Sequence, residues 1–131
     1  MFGARMTRIS STFLAIVLVQ AAHSVEEYAG RLFEVFPPAR AVSGMISSNL
    51  RSGFVIANVA LVSFGVLCFV ILLRVGAARA AGLLWLWVGI ELLNGLGHPL
   101  WSLIRGGYTP GVATAPILFV LALYLASQLR N

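Results

Sequence analysis

From Phe54 to Leu73 the chain reads FVIANVALVSFGVLCFVILL, without a single charged residue. A helix needs about 20 mostly apolar residues to cross the hydrocarbon core of a bilayer. This run meets that length, and it restricts the fold more than any other feature of the sequence. Backbone groups in lipid find no water, so a spanning segment must satisfy its own hydrogen bonds, as a helix does. Two more segments are long and apolar enough. One covers residues 80–104 and contains Trp85, Trp87 and Trp101; the other covers 113–129. Arg74 and Arg79 bracket the turn between the first two, and Arg105, Gly106, Gly107 and Pro110 bracket the next.

Composition agrees. Hydrophobic residues make up 60% of the chain and charged residues 10%, against about 25% charged in soluble domains. There is too little polar surface for a water-soluble fold, and membrane lipid is the expected surrounding. The net charge is +5 and every basic residue is arginine, a balance that can signal nucleic-acid binding. Here the arginines stand singly at the ends of apolar runs, as span-flanking charges do, so no nucleic-acid partner is expected. The one cysteine, Cys68, lies mid-run; it can form no internal disulfide or cysteine-based zinc motif and reads as a small buried hydrophobe.

The N-terminal segment admits two readings. Its clean apolar run, Phe13 to Ala22, spans only if it continues through His23, Glu26 and Glu27. Alternatively Arg5 and Arg8 would be the charged region of a signal peptide, Phe13 to Val19 its apolar core, and Val19-Gln20-Ala21 its cleavage site. The uncleaved span, over 9–28, is the expectation. The first connection, Gly30 to Ser52, is long. Arg31 to Phe36 could lie at the headgroups, Pro37-Pro38 should stop any helix, and Val42 to Leu50 has room for a short interfacial or re-entrant helix. The whole is therefore expected to be all-α, a four-helix transmembrane bundle with spans at 9–28, 54–73, 80–104 and 113–129. Five arginines on the side of the termini against four on the other lean towards cytoplasmic termini in a bacterial-type inner or plasma membrane.

Both histidines and three of the four glutamates fall within or at the ends of these apolar helices. One ionisable group at the bilayer centre costs at least ~2.5–3.5 kcal/mol, so the five should face inward and neutralise one another. His23, Glu26 and Glu27 stand at i, i+3 and i+4, on one helix face. Glu91, Asn94 and His98 stand at i, i+3 and i+7, again one stripe. The first group ends the first span and His98 lies late in the third; odd-numbered spans run in the same direction, so both groups reach the same leaflet. Pro99, flanked by Gly95 and Gly97, should kink or end its helix beside His98.

His23-Ser24-Val25-Glu26-Glu27, Asn94-Gly95-Leu96-Gly97-His98 and Tyr108-Thr109-Pro110-Gly111 occur in that order. In these three motifs, spread over most of the chain, the sequence resembles the HXXEE family of small membrane proteins. The resemblance implies an integral membrane domain, carries an expectation of enzymatic chemistry and names no substrate. It also argues against signal cleavage, which would cut the first motif from its helix.

Three kinds of chemistry suit these residues. His23, Glu26, Glu27, Glu91 and His98 are sufficient ligands for a divalent metal. Mixed nitrogen and oxygen donors fit zinc, iron or manganese better than soft copper. Alternatively Glu26, Glu27, Glu91 and Asn94, with the histidines and with Tyr108 from the following loop, could perform metal-free acid–base catalysis on a lipid, as an isomerase or hydrolase does. The third option is non-enzymatic: proton relay, cofactor binding, scaffolding, or a structural knot of buried hydrogen bonds. A metal-dependent enzyme acting on a small hydrophobic or interface-accessible substrate is the leading expectation. Tyr108 and the tryptophans have a plain alternative as interfacial anchors, Thr109-Pro110-Gly111 as a turn, and Gln20 as an interhelical hydrogen bond.

Overall fold

The computed structural model describes residues 2–131. It is all-helical, with six helices: α1 (Phe2–Ala29), α2 (Leu32–Val35), α3 (Pro37–Ile46), α4 (Leu50–Val75), α5 (Ala77–Arg105) and α6 (Ala115–Arg130). Three of them, α1, α4 and α5, are long and apolar enough to cross a membrane, consistent with an integral membrane protein. The fourth apolar helix, α6, has 16 residues, or about 24 Å at 1.5 Å per residue, short of the ~30 Å hydrocarbon core. Ala113 and Thr114, expected within the last span, instead belong to the turn that leads into it.

Helix α1 packs against α4 and α6, and α5 against α4 and α6. The core between them is built on Trp87, which meets Phe13 edge to face at 5.9 Å and stacks on Phe64 at 6.0 Å. Ile9, Ile16, Leu72, Leu84 and Leu125 fill the space around it. Trp87 is thus a packing residue. Gly95 on α5 lets α6 come close: a Cβ there would stand 2.4 Å from that of Phe119.

The polarity of the bundle is inverted relative to a soluble protein. Along α5, Leu93, Leu96, Leu100 and Leu103 face outward, each more than half exposed, while Glu91 and His98 are buried. Water would reverse that choice; hydrocarbon favours it.

The prolines do less to end helices than the sequence suggests. Pro37-Pro38 does not simply stop a helix. The short α2 ends at Val35 and Pro37 opens α3, at a first turn where the missing N–H costs nothing. The helix in this connection accordingly lies earlier than 42–50 and breaks at Ser47. Pro99 does not end α5 either; the helix continues to Arg105. Between α4 and α5 the turn reduces to Gly76, whose positive φ of 81° suits glycine.

Candidate functional site

Near the C-terminal ends of α1 and α5, His23, Glu27 and His98 converge. His23 and Glu27 come from one face of α1, four residues apart, and His98 from α5. Both rings and the carboxylate are almost wholly shielded. The two rings meet edge to face with centroids 4.6 Å apart. Glu27 Oε1 lies 3.3 Å from His23 Nε2 and 3.1 Å from His98 Nε2. His23 and His98, expected near each other from span direction, thus lie side by side.

The loop between α5 and α6 closes over this group and determines which ring nitrogen carries the proton. His98 Nδ1 lies 2.9 Å from the carbonyl oxygen of Pro110. A carbonyl only accepts, so Nδ1 carries the hydrogen. His23 Nδ1 lies 2.6 Å from Thr114 Oγ1. That hydroxyl in turn donates to Glu26 Oε2 at 2.5 Å. Its one proton is thereby committed, so it accepts from His23 Nδ1–H. In neutral rings both Nε2 atoms then carry lone pairs, and both point at the same carboxylate oxygen. His23 Nε2, fully buried, has no hydrogen-bond partner. Gly111 backs onto the rings. A Cβ there would come within 2.5 Å of His98 and 2.9 Å of His23, and its φ of 94° is itself a glycine conformation.

Glu26, adjacent to Glu27, has a different task. Its Oε1 accepts from the Tyr108 hydroxyl at 2.9 Å and from Ala113 N–H at 3.0 Å. Its Oε2 accepts from Thr114 N–H at 3.0 Å and from the Thr114 hydroxyl. The carboxylate thus gathers the donors ahead of α6, where a negative charge also meets the positive end of the helix dipole. Tyr108 is exposed and reaches Glu26 rather than the rings. Partial desolvation, and then the bond to Glu26, push its phenol above the ordinary tyrosine range.

Glu91 and Asn94 form a separate, deeper polar layer. Asn94 Nδ2 donates to Glu91 Oε2 at 3.2 Å. With its nitrogen turned toward Glu91, the Gln20 amide donates to both carboxylate oxygens at 3.1 Å. Ser24 on α1 donates to Asn58 on α4 at 2.7 Å. Of the five expected metal ligands, the structure brings together His23, Glu27 and His98 as a group that could hold a metal ion. Glu26 turns to the loop and Glu91 lies with the amides. Sequence reasoning did not single out Thr114 or the Pro110 carbonyl, and it gave Gly111 no role beyond the Tyr-x-Pro-Gly motif and its turn. A threonine just ahead of a predicted helix is a capping signal, and that could have marked Thr114.

Each of the three sequence motifs thus contributes atoms to one place. A family model described as "Protein of unknown function with HXXEE motif" matches residues 14–126. The chain belongs to the HXXEE family. No curated protein matches it, and no solved structure does. In this HXXEE protein the motif's histidine and second glutamate face the buried group, and its first glutamate holds the loop. The Asn-x-x-x-His motif joins the deeper layer to the second ring, and Tyr-x-Pro-Gly supplies the covering carbonyl and the glycine.

Proposed function

We propose that this protein is a membrane-embedded, metal-dependent enzyme. His23 Nε2, His98 Nε2 and Glu27 are the ligands of a divalent ion, and the substrate is lipid-soluble or reached from the membrane interface. One observation carries the reading. Both Nδ1 hydrogens are committed elsewhere, so with neutral rings and an ionised Glu27 two imidazole lone pairs and a carboxylate oxygen crowd together in a buried space. A cation resolves that conflict. Histidine ligands of metals commonly donate their other N–H to a carbonyl or polar side chain in this way. Donor separations of 3.1 and 3.3 Å match the about 3.3 Å expected between ligands of a tetrahedral ion with bonds of ~2.0–2.1 Å.

Three protein ligands leave a coordination position open, as catalytic rather than structural sites do. Zinc, iron or manganese suits the donor set. Such an ion would activate water or polarise a carbonyl or phosphoryl oxygen. Glu91, one layer deeper and held by the Asn94 amide, is a reserve acid–base group for the same chemistry. For the fold, we propose that α6 with the buried turn before it makes a fourth crossing, completing a four-helix transmembrane bundle with cytoplasmic termini.

The separations of 3.1 and 3.3 Å also suit a proton on either Nε2, which supports a second reading, metal-free acid–base catalysis on a lipid. Metal content separates the two. Purified full-length protein should retain about one zinc, iron or manganese ion per chain, and Glu27→Gln should lose it. Metal-free protein that resists reloading would leave the acid–base reading.

A further inference from the structure

At the opposite end of the bundle from the histidines, the start of α1, the α4–α5 turn and the end of α6 enclose a cleft of about 420 Å³. Its walls are apolar: Met6, Ile9, Ala81 and Leu129 contribute, with Val75 from the end of α4. Arg5 from α1 and Arg79 from α5 line it as well. Arg5 donates to the carbonyl oxygen of Gln128 at 3.2 Å, which ties the guanidinium to α6.

The charges at this end are unbalanced. Arg5, Arg8, Arg74, Arg79 and Arg130 all gather here, and no acidic residue does. Glu26, Glu27 and Glu34 belong to the other end, and Glu91 is buried mid-helix. Among the described residues, the one arginine that pairs with a carboxylate is Arg31, with Glu34, also at the other end. An apolar cleft with unpaired guanidiniums, at the end of membrane-spanning helices, is complementary to one kind of molecule. Its hydrocarbon part fills the cleft while its anionic head meets the arginines, and guanidinium suits phosphate through paired N–H donors.

We infer that this cleft binds one anionic phospholipid, its phosphate held by Arg5 and Arg79 and its upper acyl chain lying against Met6, Ile9 and Leu129. The site is independent of the histidine group and lies on the other membrane face. It would fix the depth of α1 and the α4–α5 turn in a leaflet rich in anionic lipid.

Full-length protein in a neutral detergent, titrated with phosphatidylglycerol or phosphatidylcholine and read by native mass spectrometry, tests the inference. One phosphatidylglycerol should be retained in preference to phosphatidylcholine. Arg5→Gln with Arg79→Gln should weaken it roughly thirtyfold, from about fivefold per guanidinium. Arg40→Gln with Arg51→Gln removes the same charge from the other face and should change nothing. Ala81→Phe keeps both arginines, fills the cleft and should also lose the lipid; circular dichroism checks that each variant keeps its helix content. Equal retention of the two lipids, equal loss in the Arg40 and Arg51 control, or undiminished binding by folded Ala81→Phe would each overturn it. Displacement by inorganic phosphate at matched headgroup concentration would do so too, because the apolar walls would then contribute nothing.

Discussion

The rings of His23 and His98 stand edge to face with centroids 4.6 Å apart, on helices with a third spanning helix between them in sequence. Each turns its Nε2 toward Glu27 Oε1 because its Nδ1 is held from behind, His23 by Thr114 and His98 by Pro110. The covering loop therefore orients the site, and changes in that loop should be felt at the rings.

Gly111 is the sharpest case. Gly111→Ala places a methyl 2.5 Å from His98 and forces alanine to a φ of 94°. The backbone strain alone should cost ~1–3 kcal/mol, read as a lowered midpoint in thermal unfolding. The displaced ring should weaken metal affinity by about 10–100-fold, measured with a competing chelator.

Thr114 acts through one oxygen. Thr114→Val removes the acceptor for the buried His23 Nδ1–H and a donor to Glu26. Metal affinity should fall by about 10–100-fold, as for other groups that orient a ligand histidine. Thr114→Ser keeps the hydroxyl and should recover most of it. Equal behaviour of the two variants would mean that the hydroxyl does not orient the ring.

Glu26, Glu27 and Glu91 should separate cleanly. Glu27→Gln should lose the metal while the fold persists. Glu26→Gln should retain the metal but loosen the loop, costing ~1–3 kcal/mol through weakened charge-assisted hydrogen bonds; faster hydrogen exchange at Ala113 and Thr114 is the readout. Glu91→Gln should leave metal content unchanged, because its partners are Asn94 and Gln20.

Tyr108 gives a pH prediction of definite sign. Its phenol ionises above the ordinary value of 10.0, through desolvation first and its bond to Glu26 second. The folded state therefore holds this proton more tightly than the unfolded chain. The stabilisation is complete below the unfolded value and is lost as pH rises through the folded one. Ultraviolet difference titration against Tyr108→Phe should show a phenolate appearing above pH 10.0. A transition at or below that value would remove the Tyr108–Glu26 contact from the account.

Much of this was legible in the sequence, for identifiable reasons. Uncharged runs of spanning length leave the backbone few choices, so the long helices follow from hydropathy. The i, i+4 spacing of His23 and Glu27 puts both on one face, and span parity led to the expectation of His98 at the same leaflet; the contact among the three is a product of how α1 and α5 pack. Helical stripes report a face but not a height. Glu91 shares the stripe of His98, yet seven residues amount to about 10.5 Å along the axis, and it lies in another layer. Glu26 and Glu27 are neighbours about 100° apart around α1, so which one faces the rings depended on where the α5–α6 loop returned. That loop holds Thr114 and the Pro110 carbonyl, and tertiary folding alone brings them over the rings. Pro37 stands at a boundary that the sequence locates, as the start of α3 as well as the stop of α2.

His23, His98 and Glu27 are proposed to hold one ion. X-ray absorption spectroscopy of the purified full-length protein, with metal content measured on the same sample, tests it most directly. The expected result is about one zinc, iron or manganese ion per chain, with two imidazole nitrogens and carboxylate oxygen at about 2.0–2.2 Å. His98→Ala should then drop one imidazole shell or release the metal. A protein that binds no stoichiometric ion on reloading, or an ion whose shell is unchanged in both His23→Ala and His98→Ala, would contradict it.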